Sequence, residues 1–151
     1  MTLDEALLKN LESWKPKPGR DTLAFDEPAA SVHLTVDHLE TLSCQVWELR
    51  VRRSRADDLT HWANRIAHHA TGLIEKLHLL EVDAHRGQAI LRSTKPSQKS
   101  ENLFYYELVL DRSGSASLRR YQGSYQSGKR KQVAFVLTRE AIAKLAADLA
   151  A

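Results

Sequence analysis

Five segments between residues 77 and 138 alternate apolar and polar residues, and short polar or glycine-containing stretches separate them. Alternation with a period of two is typical of strands that bury one face. Short loops can join only antiparallel strands, since a parallel connection needs a dozen or more residues. The sequence therefore predicts an antiparallel meander with strands at 77–84, 88–94, 103–111, 116–126 and 130–138.

The same alternation occurs earlier, at residues 32–36 and more clearly at 42–54. Apolar residues three and four positions apart indicate amphipathic helices. We predict such helices at 2–14, at about 57–75, and after Thr138, which is expected to be an N-cap. Together these elements predict an α+β fold: an antiparallel sheet of about five to seven strands, ending in the meander and covered on one face by helices.

The first 31 residues differ in composition from the rest. Residues 1–14 are amphipathic, whereas 15–31 contain three prolines and a glycine, which interrupt regular structure. We therefore predict an N-terminal amphipathic helix at 1–14, a linker at 15–31, and a single α+β domain at 32–151. An apolar helix on a tether must pack somewhere, either on its own domain or on a second copy, so a homodimer is expected.

Composition excludes several classes of protein. Cys44 is the only cysteine, so neither an intramolecular disulfide nor a zinc site of several thiolates can form; we expect Cys44 in the core. No apolar run approaches the roughly 18 residues of a membrane span. The N-terminus is acidic and lacks the basic start of a signal peptide. We expect a cytoplasmic protein that does not interact with membranes.

Enzyme motifs are absent from the sequence. It contains no G-x-S-x-G elbow, no phosphate-binding P-loop and no G-x-G-x-x-G fingerprint. His61 and His68 lie two turns apart on their predicted helix, too far to share an ion. We therefore predict no catalytic residue, no metal site and no cofactor. One alternative stays open: Glu81, Asp83 and His85 alternate on one strand face and could form part of a dispersed active site.

Turn signals predict the pairing of the meander strands. A two-residue turn at Arg86-Gly87 places Glu81 opposite Arg92, and one at Ser113-Gly114 places Glu107 opposite Arg120. A three-residue turn ending at Gly128 places Tyr121 opposite Val133 and Arg119 opposite Phe135. In this register Tyr121, Val133 and Phe135 face the core, whereas Arg120 and Arg130 point away from it.

Positive charge is concentrated near the C-terminus. Seven Lys or Arg residues and no Asp or Glu lie between Arg112 and Arg139, whereas the rest of the chain has 15 basic and 19 acidic residues. Local fields of this kind attract anionic partners. Residues 129–131 have no acid in the adjoining predicted strands, although solubility or protection of a strand edge would also explain them. The predicted partner-binding residues are Arg119, Tyr125, Lys129, Arg130 and Lys131.

Three functions follow from these observations. The leading hypothesis is a small non-enzymatic binding or adaptor domain that engages an acidic protein or peptide or associates with itself. The alternative is a nucleic-acid-binding protein that uses the basic hairpin 119–131, where Tyr125 stacks on a base and the cations meet phosphates. The second alternative is an enzyme with a dispersed site near Glu81, Asp83 and His85.

Overall fold

A computed structural model describes residues 1–55, 58–124 and 126–151. These residues form three helices and ten strands, which confirms the α+β class and the antiparallel sheet but exceeds the predicted five to seven strands. The helices are α1 (Leu3–Ser13), α2 (Leu59–His69) and α3 (Arg139–Ala150). The strands are β1 (Asp21–Asp26), β2 (Ala30–Leu39), β3 (Ser43–Arg53), β4 (Leu77–Asp83), β5 (Gln88–Ser93), β6 (Ser97–Lys99), β7 (Asn102–Asp111), β8 (Ser115–Ser124), β9 (Arg130–Val133) and β10 (Phe135–Thr138).

The sheet has the strand order β1-β2-β3-β8-β7-β5-β4. Three short strands extend it: β6 pairs with β7, β9 with β8, and β10 with β3. All of these pairs are antiparallel. The predicted meander therefore exists, and β8 joins it to the N-terminal strands through β3.

Strand β1 lies inside the segment 15–31, which the sequence analysis assigned to a linker. Leu23 pairs with Leu34 and Phe25 with Val32 across β1 and β2. Prolines precede and follow β1, but they do not interrupt it. The division of the chain into domains stays a prediction.

The last predicted strand, 130–138, is divided at Ala134 into β9 and β10. Strand β8 pairs with β3 up to Leu118 and with β9 from Arg120 onward. Phe135 instead pairs with Val46 of β3. The predicted pairing of Arg119 with Phe135 is therefore wrong.

Helix α1 packs on its own chain. Thr2 and Glu5 form a capping box at its start. Leu7 and Leu11 are fully buried, and the helix contacts α3. Arg139 at the start of α3 donates a hydrogen bond of 3.1 Å to the Leu11 carbonyl. Of the two expected docking modes, this structure therefore has the intramolecular one.

The other two helices are also capped by side chains. Asp58 accepts hydrogen bonds from the N–H groups of Thr60 and His61, and Thr138 caps α3 as expected. Asp57, at which the second helix was predicted to begin, lies outside the described residues. Helix α2 ends at His69 instead of near residue 75, which leaves Glu75 free of the helix.

Buried apolar side chains from the strands and all three helices form one cluster. Trp62 Nε1 donates a hydrogen bond of 3.0 Å to the Leu149 carbonyl and so joins α2 to α3. Cys44 is fully buried as expected, and burial raises the pKa of its thiol to about 11. Helix contacts reach β3, β4, β5, β7 and β10; coverage of one whole face by helices stays a prediction. Among the described residues, every helix is too short or too polar to cross a membrane.

Candidate functional site

The alternate side chains of the central strands form a second, polar surface of the sheet. On β7 and β8 the buried Tyr106, Leu108 and Leu118 alternate with residues that point to the other side. We call this surface the polar face; it includes Glu48, Arg50, Gln88, Arg92, Tyr105, Glu107, Val109, Asp111, Ser115, Ser117, Arg119, Tyr121 and Arg130. An open cavity of about 490 Å³ lies on it.

The predicted register of β7 and β8 is wrong by one residue. Glu107 lies opposite Arg119, and Tyr106 lies opposite Arg120. The turn is longer than predicted because the Asp111 carboxylate accepts the N–H groups of Ser113 and Ser115. Gly114 then takes a φ of +91°, which favours glycine.

The predicted register of β8 and β9 is also wrong by one residue. Arg120 lies opposite Val133, and Tyr121 lies opposite Gln132. A shift of one residue moves every side chain to the opposite face. Tyr121 is therefore on the polar face, whereas Arg120 is on the buried side.

Glu107 is the centre of the polar face. It is only 6% exposed. Arg92 Nε lies 2.7 Å from its carboxylate, and Arg130 donates from both terminal nitrogens, at 2.8 and 3.3 Å. Burial raises the pKa of the Glu107 carboxyl, but the hydrogen bonds from the two arginines outweigh this effect and hold the pKa below its usual value.

Arg130 crosses β8 to reach Glu107. It lies opposite Gly123 of β8. Its guanidinium is 3.9 Å from the centre of the Tyr121 ring and 3.3 Å from the Tyr105 hydroxyl. The expectation that Arg130 lacks an acidic partner is wrong because its side chain reaches past the adjoining strand. Its pKa is raised, chiefly by the hydrogen bonds with Glu107.

Arg119 is also paired. Its Nε lies 2.6 Å from the carboxylate of Glu48, which Arg50 approaches to 3.3 Å. All four arginines of the polar face therefore have a glutamate partner. Tyr105 and Tyr121 lie between them, with ring centres 6.0 Å apart.

Lys129 and Lys131 have a different environment. Both are exposed, and neither has an ion-pair partner among the residues that the structure describes. Lys131 lies opposite Gln122 and Arg130 opposite Gly123, so these two neighbouring cations point to opposite faces of the strand. We call residues 129–131 the basic turn.

A cavity of about 220 Å³, which we call the turn cavity, lies at the basic turn. Its lining residues are Asn102, Gln122, Gly123, Ser124, Lys129, Arg130 and Lys131, and none of them is acidic. The structure therefore divides the predicted partner-binding set. Arg119 and Arg130 belong to the paired polar face, Lys129 and Lys131 line the turn cavity, and Tyr125 lies outside the described residues.

A buried ion pair on the other side of β8 was missed by the sequence analysis. Arg120 donates to both carboxylate oxygens of Glu75, at 2.8 and 2.9 Å, and these side chains are 8% and 6% exposed. Ser93 and Ser97 donate to the same carboxylate at 2.8 and 2.5 Å. Burial raises the pKa of Glu75, but the hydrogen bonds from Arg120, Ser97 and Ser93 outweigh it and keep the pKa low. The sequence analysis placed Glu75 at the end of the second helix and therefore did not predict it as a partner of Arg120.

The residues of the alternative site on β4 differ in their surroundings, and the alternative function stays a prediction. Glu81 lies opposite Ile90 and not Arg92, because the turn between β4 and β5 spans residues 84–87 instead of Arg86-Gly87 alone. Asp83 accepts the backbone N–H groups of His85 and Arg86 and so stabilises the turn. Glu81 and His85 are exposed. Within residues 1–55, 58–124 and 126–151, no group of three potential metal ligands occurs.

No protein-family model matches this chain, and no curated protein or solved structure is significantly similar to it. The candidate site is therefore judged on its geometry and charge.

Proposed function

We propose that this protein is a non-enzymatic binding domain whose partner is an acidic polypeptide segment. The segment binds at the basic turn through Lys129 and Lys131. A cytoplasmic location is part of this proposal.

One observation carries the proposal: within residues 1–55, 58–124 and 126–151 the two lysines have no acidic partner, whereas every arginine of the polar face has one. Ion pairs within the fold have already neutralised Arg119 and Arg130. An incoming carboxylate would have to displace Glu48 or Glu107 there. At the basic turn it meets exposed ammonium groups and no competing carboxylate in the cavity lining. Electrostatic complementarity of this kind raises association rates and selects for acidic partners.

The test uses a glutamate-rich peptide and the full chain. We expect saturable binding that weakens with added salt, since exposed charges are screened within about 8 Å at physiological ionic strength. Lys129→Gln/Lys131→Gln is expected to abolish it. The control, Lys9→Gln/Lys15→Gln, removes the same charge at two other exposed lysines that form no ion pair with a described residue. If both double variants lost the same amount of peptide binding, net charge alone would explain the effect, and the proposal would be contradicted.

Self-association is a second part of the proposal. Strand β4 pairs only with β5 and is one end of the strand order. Ile74, Leu80 and Val82 are exposed apolar residues on or beside it. Strand β4 has no lysine or proline, the residues that commonly block pairing at an edge, although the bulge at Leu80 interrupts it. Light scattering over a range of concentrations tests a homodimer, which Val82→Lys is expected to weaken; a constant monomer mass contradicts it.

Nucleic-acid binding is the second candidate function. The cross-strand pair Tyr105 and Tyr121 lies among arginines on an open sheet surface, an arrangement that can stack bases and bind phosphates. The guanidinium of Arg130 occupies one face of Tyr121, which is why we place this function second. A labelled single-stranded oligonucleotide distinguishes the two: tighter binding than to the acidic peptide, lost in Tyr121→Ala, would favour nucleic acid.

A further inference from the structure

The two cavities near β8 differ in the groups that line them. The cavity of the polar face contains the carboxylates of Glu107 and Asp111, which repel anions. The turn cavity is lined by amides, a hydroxyl, two ammonium groups and a guanidinium, and by no carboxylate. Its chemistry is that of a site for an anion with several acceptor oxygens.

Several hydrogen-bond donors of the turn cavity are available to a ligand. Ser124 Oγ accepts the N–H of Gln126 at 3.2 Å, which leaves its own hydrogen to donate. The side-chain amides of Asn102 and Gln122 have no hydrogen-bond partner within the described part of the chain. Each ammonium group of Lys129 and Lys131 adds three donors. This supply exceeds what one carboxylate with two oxygens requires.

The volume of the turn cavity also limits its occupant. At about 220 Å³ it is smaller than the roughly 300–1,000 Å³ of pockets that enclose drug-sized ligands. A small, compact head group fits this description better than a nucleobase with its sugar. A phosphoryl group offers three acceptor oxygens and a charge of about −1.5 to −2 at neutral pH.

We propose that the turn cavity binds a phosphoryl group carried on a side chain of the partner protein, such as a phosphoserine. This inference rests on the proposed function, because it specifies which acidic polypeptide is bound. Lys129 and Lys131 neutralise the phosphoryl charge, while Asn102, Gln122 and Ser124 donate to its oxygens. A protein is favoured over nucleic acid because the cavity accepts one anionic group and not a row of phosphates.

The first experiment titrates the full ¹⁵N-labelled chain with inorganic phosphate at constant ionic strength, with chloride as the comparison. We expect saturable shifts of the side-chain amide signals of Asn102 and Gln122. Lys129→Gln/Lys131→Gln is expected to weaken this binding at least about tenfold, since each charge-assisted hydrogen bond contributes strongly. Lys9→Gln/Lys15→Gln is expected to change nothing. Linear shifts, or saturable shifts that the first variant preserves, overturn the site.

The second experiment separates this inference from the proposed function. Two acidic peptides of equal charge are compared, one with a phosphoserine and one with two glutamates in its place. We expect the phosphopeptide to bind roughly tenfold tighter, an advantage that Lys129→Gln/Lys131→Gln removes. Equal affinities that both depend on the lysines overturn the phosphoryl inference alone. Saturable binding of phosphate without binding of either peptide overturns the proposed function alone, and tighter binding of an oligonucleotide overturns the assignment to a protein.

Discussion

The polar face and the basic turn meet at Arg130 of β9, yet their cations differ in whether they have acidic partners. On the polar face, Glu107 is held between Arg92 and Arg130, and Glu48 is held by Arg119. At the basic turn, Lys129 and Lys131 have no acidic partner among the described residues. We infer from this difference that paired cations contribute mainly to stability and unpaired ones mainly to binding.

The largest loss of stability is expected at the buried ion pair of Glu75 and Arg120. Glu75→Ala leaves the Arg120 guanidinium buried without its carboxylate, and breaking a buried pair in this way costs about 3–5 kcal/mol. Urea unfolding measures the loss. In the double variant Glu75→Leu/Arg120→Met, where neither charge remains, we expect most of the stability to return. If Glu75→Ala cost less than about 1 kcal/mol, which is the value of an exposed pair, the Glu75–Arg120 pair would not contribute mainly to stability.

A smaller loss is expected at the centre of the polar face. Glu107→Gln removes the charge that Arg92 and Arg130 share, and hydrogen bonds to charged groups contribute about 1.5–3 kcal/mol. The same variant leaves both arginines unpaired, so we expect it to bind inorganic phosphate on the polar face. Urea unfolding and phosphate titration check the two effects together. A variant that loses stability without gaining anion binding would show that pairing is not what prevents ligands from binding there.

The two ion-paired glutamates, Glu75 and Glu107, also predict how the stability of the protein depends on pH. The pKa values of Glu75 and Glu107 are lowered in the folded protein from an ordinary value of 4.5. A lowered folded-state pKa means that the stabilisation is present above about 4.5 and is lost as pH falls through the folded value. The slope is at most about 1.4 kcal/mol per pH unit for each carboxylate. Thermal unfolding between neutral and acidic pH should show this loss, and Glu75→Gln/Glu107→Gln should flatten it; an unchanged profile would contradict it.

The parts of the fold that depend on short-range signals were predictable from the sequence. Thr138 lies directly before the helix that it was predicted to cap, and this N-cap is present. Strand β1 was missed because the prolines on either side of it indicated a linker. Strand pairing was harder, since one extra turn residue, stabilised by Asp111, changed the whole β7–β8 register.

The candidate site shows the consequence of a second register error. The one-residue shift between β8 and β9 places Arg120 in the buried pair with Glu75 and Tyr121 on the polar face, the reverse of the prediction. The partner of Arg130 could not be predicted from the adjoining strand, because the side chain passes beside the Tyr121 ring of β8 and reaches Glu107 on β7. Among the described cations of the predicted set, Lys129 and Lys131 alone have no ion-pair partner within the described residues.

The smallest change in stability, and the largest difference in binding, is expected when those lysines are replaced. Lys129→Gln/Lys131→Gln removes exposed charges that have no ion-pair partner among the described residues, so the free energy of unfolding should stay within about 0.5 kcal/mol of the original. Arg130→Gln is the matched comparison from the same turn: it breaks the contact with Glu107 and should destabilise the protein while the lysines still bind phosphate. Urea unfolding and phosphate titration of both variants give the two readouts. If Arg130→Gln abolished phosphate binding as completely as the lysine variant, Arg130 would bind the ligand although it is paired with Glu107. The inference that paired cations contribute mainly to stability would then be wrong for Arg130, the residue at which the polar face and the basic turn meet.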